Sequence, residues 1–339
     1  MPEVSKDEYE AIINTVIENK NSCIKLSGHN NRNYVYGLHG GKTVIVRIKD
    51  TSKAKLDIKA LDEIAVLREL ENTELATKVN TVLYRNEKAS ILEYIPGDTI
   101  NNLYGANGEM PGFVVRHIAH NMRILHQIGA ADLREKMDNV DKFKNNGYFY
   151  NFLIWKLGEV YGVLKDQYKA VYEELNIPDD IFHACIGDIY KLSKTRKFTL
   201  CHCDLHRHNI IVDDKEGTVH FIDWELSMIT DPYYDVAVHL QKIRYTQEQE
   251  DLFLKCYFKN KSDEEIKQAL DEINLYRKLE AIKYAITDVV RIIEDKQDGG
   301  DSYGEFMVRY IDKLNKAYKV LGINSVMTIG KLASIIEKT

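Results

Sequence analysis

The sequence predicts an α+β fold in which a small β-rich N-terminal part precedes a larger, mostly helical part. Thr43 to Ile48 is a strongly β-branched run, which is typical of a strand. Val79 to Tyr84 and Ser90 to Tyr94 flank a short polar turn, and they predict a hairpin. From about Pro111 onward the apolar residues recur mostly at helical spacing, interrupted by two short strands.

Local signals place the remaining elements. Ser5 and Glu8 form a capping box for an opening helix whose apolar face includes Ile12 and Val16. Further elements follow in chain order, two strands, a helix and a late helix: Cys23 to Leu26, Asn33 to Leu38, Leu61 to Leu70 and Leu275 to Glu294.

Pro96-Gly97 breaks the pattern between the β-rich and helical parts, so we place a hinge near Glu93 to Thr99. We expect residues 1–95 to form one domain and residues 96–339 to form a second domain.

The composition is that of a soluble globular protein, with 44% hydrophobic and 29% charged residues. No apolar run is long enough to cross a membrane, and the N-terminus has no apolar signal segment, so we expect a cytoplasmic protein without a membrane partner. The net charge of −6 disfavours nucleic acid as a partner and favours a cationic small molecule. Cys201 and Cys203 flank His202, but a second ligand pair for zinc is missing, and we interpret the cysteines as reduced thiols.

Residues 202–225 carry the strongest functional signal. Asp204 and Asn209 lie five positions apart in a polar stretch, and a strand, a turn and a second strand lead to Asp223 and Glu225. Phosphoryl transfer from ATP needs an Asp that orients a hydroxyl and accepts its proton, and it needs an Asn and a second Asp that hold magnesium. The alternative is a polar loop that precedes an ordinary hairpin, although the full set favours a kinase-like site.

This stretch resembles the catalytic and metal-binding loops of the aminoglycoside phosphotransferase and choline kinase superfamily. Members of that superfamily have a protein-kinase-like fold of two lobes, and their second loop reads Asp-x-Glu or Asp-x-Asp, as Asp223-Trp224-Glu225 does. The resemblance implies ATP and Mg²⁺ as cofactors. It implies Asp204 as the catalytic base, Asn209 and Asp223 as metal ligands, and Glu225 as a ligand of a metal-bound water or of a second magnesium.

Ser27 to Tyr34 lies between the first two predicted strands. It is similar to the Gly-x-x-Asn-x-Asn-Tyr loop of bacterial choline kinases, which are the members that this chain resembles most. The resemblance implies that the ATP phosphates are covered by Gly28, Asn30, Asn31 and Arg32. From the residues alone, a simple hairpin turn stays open as the alternative.

Arg47 stands in the strand position where protein kinases carry a lysine, and choline kinases resemble this chain in having arginine there. A guanidinium clamps phosphate oxygens with two donors. Lys49 points to the same face of the strand, so the alternation leaves both residues open, and the resemblance favours Arg47. Glu63 is the expected ion-pair partner of Arg47, with Asp62 and Glu69 as alternatives.

Ile91 to Gly97 looks like the strand-to-linker segment that meets adenine in this superfamily, which implies recognition through the backbone groups of Glu93 and Ile95. His202 is expected to form hydrogen bonds within the catalytic loop. Asp235 is expected to cap a helix that begins at Val236. Arg207 is left open between a phosphate or substrate contact and a solvated side chain.

The acceptor is the least determined part of the prediction. Bacterial choline kinases carry tryptophans on a late helix, whereas this chain has only Trp155 and Trp224. Asp288 on the late helix and Trp224 are the candidate substrate residues. We expect a kinase for an amino alcohol such as choline or ethanolamine. An antibiotic kinase of the aminoglycoside type and an inactive nucleotide-binding protein are the alternatives.

Overall fold

The structure, a computed structural model, describes residues 4–19, 23–26, 31–38, 41–49, 61–129, 147–175, 179–193, 195–297 and 303–337. The strands in these ranges are β1 (Ile24–Lys25), β2 (Asn31–Gly37), β3 (Thr43–Lys49), β4 (Val82–Arg85), β5 (Ala89–Glu93), β6 (Asp98–Thr99), β7 (Thr199–Cys201), β8 (Ile210–Asp213), β9 (Thr218–Phe221) and β10 (Met228–Thr230).

The α-helices within the same ranges are α1 (Lys6–Glu18), α2 (Glu63–Leu70), α3 (Ile100–Tyr104), α4 (Gly112–Leu125), α5 (Gly147–Gln167), α6 (Lys169–Leu175), α7 (Asp179–Ser193), α8 (Pro232–Ile243), α9 (Gln247–Tyr257), α10 (Asp263–Gln297), α11 (Tyr303–Leu321) and α12 (Ile329–Ile336). Short 3₁₀ turns cover Ala76–Lys78 and Trp224–Leu226. In the described ranges, no helix is long and apolar enough to span a membrane.

The N-terminal strands form an antiparallel sheet with the order β1-β2-β3-β5-β4. The β-branched residues of β3 alternate, so Val44 and Val46 point into the core and pack with Ile91 of β5. Helix α1 covers this core through Ile13 and Val16, which are fully buried. The predicted capping box is present, since the Glu8 N–H donates to Ser5 Oγ and the Ser5 N–H donates to Glu8 Oε2.

Two helices begin at different residues than the sequence analysis predicts. Helix α2 begins at Glu63, because Asp62 caps it by accepting the N–H groups of Ile64 and Ala65. The late helix α10 begins twelve residues before the predicted Leu275, since it starts at Asp263. Its start is marked by a Ser262–Glu265 capping box, a local signal that the sequence analysis did not use.

The predicted break at Pro96-Gly97 coincides with a close approach of two backbones. Gly97 has φ +108°, and a Cβ at this position would lie 2.3 Å from the Val212 carbonyl oxygen. The next residues form β6, which pairs with β8 in register Asp98↔Val212. Glycine is therefore required here by both conformation and space.

The chain divides into two compact units. The first comprises Met1–Asn139, Thr199–Ile229 and Lys242–Lys259, and the second comprises Val140–Phe198, Thr230–Gln241 and Asn260–Thr339. The first unit holds the N-terminal sheet and the β8–β9 hairpin. Inside the second unit, two buried tyrosines of α11 connect helices. The hydroxyl of Tyr310 donates to the carbonyl of Ala285, and the hydroxyl of Tyr318 donates to the carbonyl of Leu175. The predicted domain boundary between residues 95 and 96 stays a prediction.

Candidate active site

The predicted catalytic loop, residues 202–209, begins at His202, which is fully buried. His202 Nε2 donates to the carbonyl of Ile222 at 3.0 Å, and the N–H of Asp204 donates to His202 Nδ1 at 3.3 Å. Cys203 between them adopts φ +62°, an uncommon conformation for a non-glycine residue. The two ring nitrogens of His202 thus join the loop to the end of the hairpin.

Asp204 and Asn209 are brought together by the five-residue spacing that the sequence shows. Asn209 Nδ2 donates to the backbone carbonyl of Asp204 at 2.9 Å and lies 3.3 Å from its carboxylate Oδ2. The N–H of Asn209 donates to the carbonyl of His206, which closes the loop. One short loop therefore presents the candidate base and a candidate metal ligand side by side.

Lys242 is a member of this site that the sequence analysis missed. Its Nζ lies 2.5 Å from Asp204 Oδ1, although Lys242 is at the end of α8 and 38 residues away in the chain. Burial raises the pKa of Asp204, but the charge and hydrogen bond of Lys242, together with the nearby His206 and His202, outweigh it and lower the pKa below its ordinary value. Lysine is common near helix C-termini whether or not it contacts a functional site, so no local sequence pattern predicts the Lys242–Asp204 contact.

His206 is the third side chain near the carboxylate of Asp204, with Nε2 3.6 Å from Oδ2. Burial lowers the pKa of His206 to about 4, which leaves the imidazole neutral at neutral pH. The full positive charge beside Asp204 is therefore supplied by Lys242 rather than by His206.

The β8–β9 hairpin returns the chain to the catalytic loop. Ile210 pairs with Phe221, and the N–H of Ile222 donates to the carbonyl of Asn209 at 3.0 Å. Asp223 follows immediately, in a left-handed conformation with φ +67°. Backbone strain of this kind is found where a side chain must be held in a special direction. The hairpin thus carries Asp223 to the loop of Asn209, as the spacing predicts.

Arg47 of β3 lies at the centre of three carboxylates. Its Nη1 is 3.0 Å from Glu63 Oε1, and its Nη2 is 2.6 Å from Asp223 Oδ1 and 3.3 Å from Glu225 Oε2. The Trp224 N–H donates to Glu63 Oε1 at 3.2 Å, which links helix α2 to the same loop. The structure therefore joins the predicted phosphate-binding residue, its predicted partner Glu63 and two predicted metal ligands.

The excess of carboxylates around Arg47 changes two pKa values. Burial disfavours the charged guanidinium, but Glu63, Asp223 and Glu225 together outweigh it and raise the pKa of Arg47. Burial also raises the pKa of Glu63 to about 7; the charge of Arg47 opposes this shift, and the negative charges of Asp223 and Glu225 add to it. Protonation of Glu63 reduces the electrostatic repulsion among the three carboxylates.

The donor set fits a magnesium ion. Carboxylate and amide oxygens are the ligands that Mg²⁺ takes, and Asn209, Asp223 and Glu225 supply them. Three carboxylates face the single guanidinium of Arg47, so a divalent cation would balance the remaining negative charge. The side chain of Asp223 is 35% exposed, which leaves its carboxylate within reach of a ligand.

Asp62, the alternative partner of Arg47, has a different role. Besides capping α2, its two carboxylate oxygens accept Arg85 Nη1 and Nη2 at 2.7 Å each. The side chain of Lys49, the alternative to Arg47, lies outside the described residues, as do Gly28 and Asn30 of the predicted phosphate loop. Asn31 and Arg32 are the first residues of β2, and the Arg32 side chain is exposed.

The predicted adenine contact at Glu93 stays a prediction, and the backbone groups of Glu93 form hydrogen bonds within the first unit. The N–H of Glu93 donates to the carbonyl of Thr81 at 2.9 Å, and its carbonyl accepts Asn80 Nδ2 at 3.0 Å. Ile95, two residues later, is buried, and its predicted backbone role stays a prediction.

Arg207 is neither a solvated side chain nor a phosphate contact. Its guanidinium donates to three backbone carbonyls, those of Ile243, Gly105 and Gly108, at 2.7 to 2.8 Å. The residue is 4% exposed. Arg207 therefore ties the catalytic loop to the loop after α3 and to the end of α8.

Two further expectations are corrected by the structure. Trp224 is fully buried, its ring lies 4.5 Å from that of His202, and its Nε1–H donates to Phe221, so it is a packing residue rather than a substrate contact. Asp235 does not cap a helix at Val236, because α8 already begins at Pro232. Asp231 accepts the Tyr233 N–H at 2.9 Å instead, and proline suits the first helical position.

Asp288, the other candidate substrate residue, lies in the second unit and pairs with Lys313 at 2.8 Å. The Lys313 ammonium also lies 5.1 Å from the centre of the Tyr284 ring. Asp288 and Tyr284 thus already contact a cationic side chain. Asp288 as a substrate contact stays a proposal.

Comparison with known proteins identifies the family. The model of a family described as "Phosphotransferase enzyme family" matches residues 24–276, which is more than half of the chain. The chain belongs to the phosphotransferase enzyme family. The predicted superfamily, the α+β kinase-like fold and the class of phosphotransferase that uses an alcohol acceptor are therefore confirmed.

Individual relatives of this phosphotransferase are distant. It is 23% identical to "Protein LicA" of Haemophilus influenzae over 231 residues, which cover 64% of this chain and 82% of that protein. Its fold is similar to that of a Plasmodium vivax ethanolamine kinase, with a TM-score of 0.62, 19% identity and coverage of 93% and 89%. It is also similar to choline kinase LicA from Streptococcus pneumoniae, with a TM-score of 0.54, 18% identity and coverage of 93% and 99%.

Proposed function

We propose that this phosphotransferase transfers the γ-phosphate of ATP to the hydroxyl of a cationic amino alcohol such as choline or ethanolamine. The observation that carries the proposal is the meeting, in one unit, of Asp204 with Asn209 and of Asp223 and Glu225 with Arg47. This set contains an orienting carboxylate, metal ligands and a phosphate clamp, which are the parts that phosphoryl transfer requires.

In this proposal, Asp204 accepts a hydrogen bond from the acceptor hydroxyl and orients its oxygen toward the γ-phosphorus. Its lowered pKa keeps the carboxylate ionised at neutral pH, so positioning is its main task and strong proton abstraction is not. Asn209, Asp223 and Glu225 would hold Mg²⁺, which neutralises charge on the phosphates of ATP when bound. Arg47 would bind phosphate oxygens with its guanidinium, which lies beside the carboxylates of Asp223 and Glu225.

The choice of acceptor rests on relatives and on charge. An ethanolamine kinase and a choline kinase are among the similar structures, and the net charge of −6 suits a cationic substrate. Asp288 is the candidate contact for a cationic group, which would compete with Lys313 for the carboxylate. Asp288→Asn should raise the KM for a cationic acceptor several-fold and leave kcat nearly unchanged. Asp312→Asn is the matched control, because Asp312 is an exposed carboxylate that pairs with Lys316. An unchanged KM in Asp288→Asn would rule out Asp288 as a substrate contact.

The test of the reaction is magnesium-dependent ATP turnover with choline, ethanolamine, thiamine and several aminoglycosides as acceptors. We expect turnover of an amino alcohol, and we expect Asp204→Ala to lower kcat by about 10²- to 10⁴-fold while MgATP still binds. Asp251→Ala, an exposed carboxylate on α9 of the same unit, is the control. Turnover of aminoglycosides alone would assign the protein to antibiotic phosphorylation. Binding of MgATP without turnover of any acceptor would indicate an inactive nucleotide-binding protein.

A further inference from the structure

The carboxylate of Asp204 is held at both of its oxygens. In the described part of the chain, Lys242 Nζ lies 2.5 Å from Oδ1, while Asn209 Nδ2 and His206 Nε2 lie 3.3 and 3.6 Å from Oδ2. The shortest of these contacts comes from outside both sequence motifs, because Lys242 belongs to the last turn of α8. The negative end of the helix dipole favours an ammonium at that position.

Holding both oxygens matters because the terminal torsion of an aspartate is soft. Rotation about χ2 is broad and roughly two-fold, so a carboxylate anchored at one oxygen can still turn. Asn209 on Oδ2 and Lys242 on Oδ1 together define the plane of the group. An error of about 1 Å in the placement of a reacting group lowers the rate by as much as about 10²-fold.

We propose that Lys242 is a positioning residue that holds Asp204 in the orientation needed to direct the acceptor hydroxyl. The inference rests on the proposed phosphoryl transfer, in which Asp204 is the orienting group. Lys242 acts through Asp204 and needs no contact with ATP or with the acceptor. Its removal should therefore change kcat and leave the binding of MgATP unaltered.

The experiment compares Lys242→Met, which keeps the aliphatic stem, with Lys242→Arg, which keeps the charge. With the acceptor that the panel identifies, we expect Lys242→Met to lower kcat by about 10- to 100-fold, with the KM for MgATP within about twofold of wild type. Lys242→Arg should recover a large part of the loss. Lys255→Met, an exposed lysine on α9 in the same unit, is the matched control and should keep wild-type kcat. Lys242→Gln provides a polar replacement if the methionine variant does not fold.

A double-mutant cycle separates positioning from an independent role. If Lys242 acts through Asp204, adding Lys242→Met to Asp204→Asn should change the residual kcat by less than about threefold. An equal loss in both backgrounds would overturn the proposal, and so would a kcat of Lys242→Met within twofold of wild type. Failure of wild type itself on every acceptor would instead refute the proposed function, and the role of Lys242 in it would fall at the same time.

Discussion

Arg47 Nη2 lies 2.6 Å from Asp223 Oδ1, although 176 residues separate them in the chain. This contact joins strand β3 of the N-terminal sheet to the loop that follows the β8–β9 hairpin. The same guanidinium also contacts Glu63 of α2 and Glu225. A single buried cation therefore holds together three carboxylates from two distant parts of the sequence, and its loss affects both the fold and the proposed metal site.

Removal of Arg47 should destabilise the protein strongly. In Arg47→Met the three carboxylates lose their common counter-ion in a buried place, and we expect a loss of about 3–5 kcal/mol in the free energy of unfolding. Added Mg²⁺ should raise the melting temperature of this variant more than that of wild type, because a divalent cation can replace the missing charge. Urea unfolding and thermal melts with and without MgCl₂ measure both effects.

Arg85→Met is the control for Arg47, since Arg85 also pairs with a carboxylate but is partly exposed at the end of β4. Its loss should remove no more than about 1 kcal/mol, because exposed ion pairs contribute little. Equal stability losses in the two variants would contradict the central role of Arg47.

Asp223→Ala should weaken the binding of MgATP while the fold persists, because Arg47 keeps Glu63 and Glu225 as partners. Removal of a direct metal ligand is expected to raise the Kd for MgATP by at least the roughly 10- to 100-fold seen for outer-shell partners of metals. Isothermal titration calorimetry measures the Kd for MgATP of the variant and of wild type. Glu216→Ala, exposed in the β8–β9 turn, should keep the wild-type Kd. Wild-type affinity in Asp223→Ala would rule out a ligand role for Asp223.

The raised pKa of Glu63 predicts a pH dependence of stability. In the unfolded chain its carboxyl ionises near its ordinary value of 4.5, and in the folded protein near 7. Between these values the folded state binds the extra proton, so the contribution of Glu63 to stability decreases as the pH rises from 4.5 through 7. Glu63→Gln should remove this slope. Its stability relative to wild type should rise between pH 5 and pH 8 by about 3 kcal/mol at most. Parallel curves for the two proteins would show that Glu63 ionises normally.

Arg207 should matter for stability and not for substrate binding. Arg207→Met leaves three backbone carbonyls without their charged donor, which should lower the free energy of unfolding by about 3–5 kcal/mol. Arg244→Met removes an exposed arginine that donates to Asn107 and should cost about 1 kcal/mol or less. Denaturant unfolding gives both values. An Arg207→Met protein of normal stability but with a raised KM for MgATP would favour the phosphate contact that the structure does not show.

The sequence was most informative where a structure depends on neighbours in the chain. The five-residue spacing of Asp204 and Asn209 sets a single loop, and β8 and β9 return Asp223 to it through one short hairpin. The capping box at Ser5 depends on residues three apart. Such short-range geometry is fixed by backbone conformation, so it can be read before the fold is known. Alternation likewise put Arg47 and Lys49 on one face of β3, and the resemblance to choline kinases favoured Arg47.

Only the tertiary structure decided which ordinary residues meet these motifs. Lys242, Arg207 and Trp224 have residue types that are common on surfaces and in cores alike, and their roles depend on partners far away in the chain. The start of α8 was misplaced because Asp231 and Asp235 are both residue types that cap helices, and the local sequence does not choose between them. Local spacing thus determined the catalytic loop. Long-range packing determined which residues contact that loop, because a contact between distant segments leaves no local pattern in either segment.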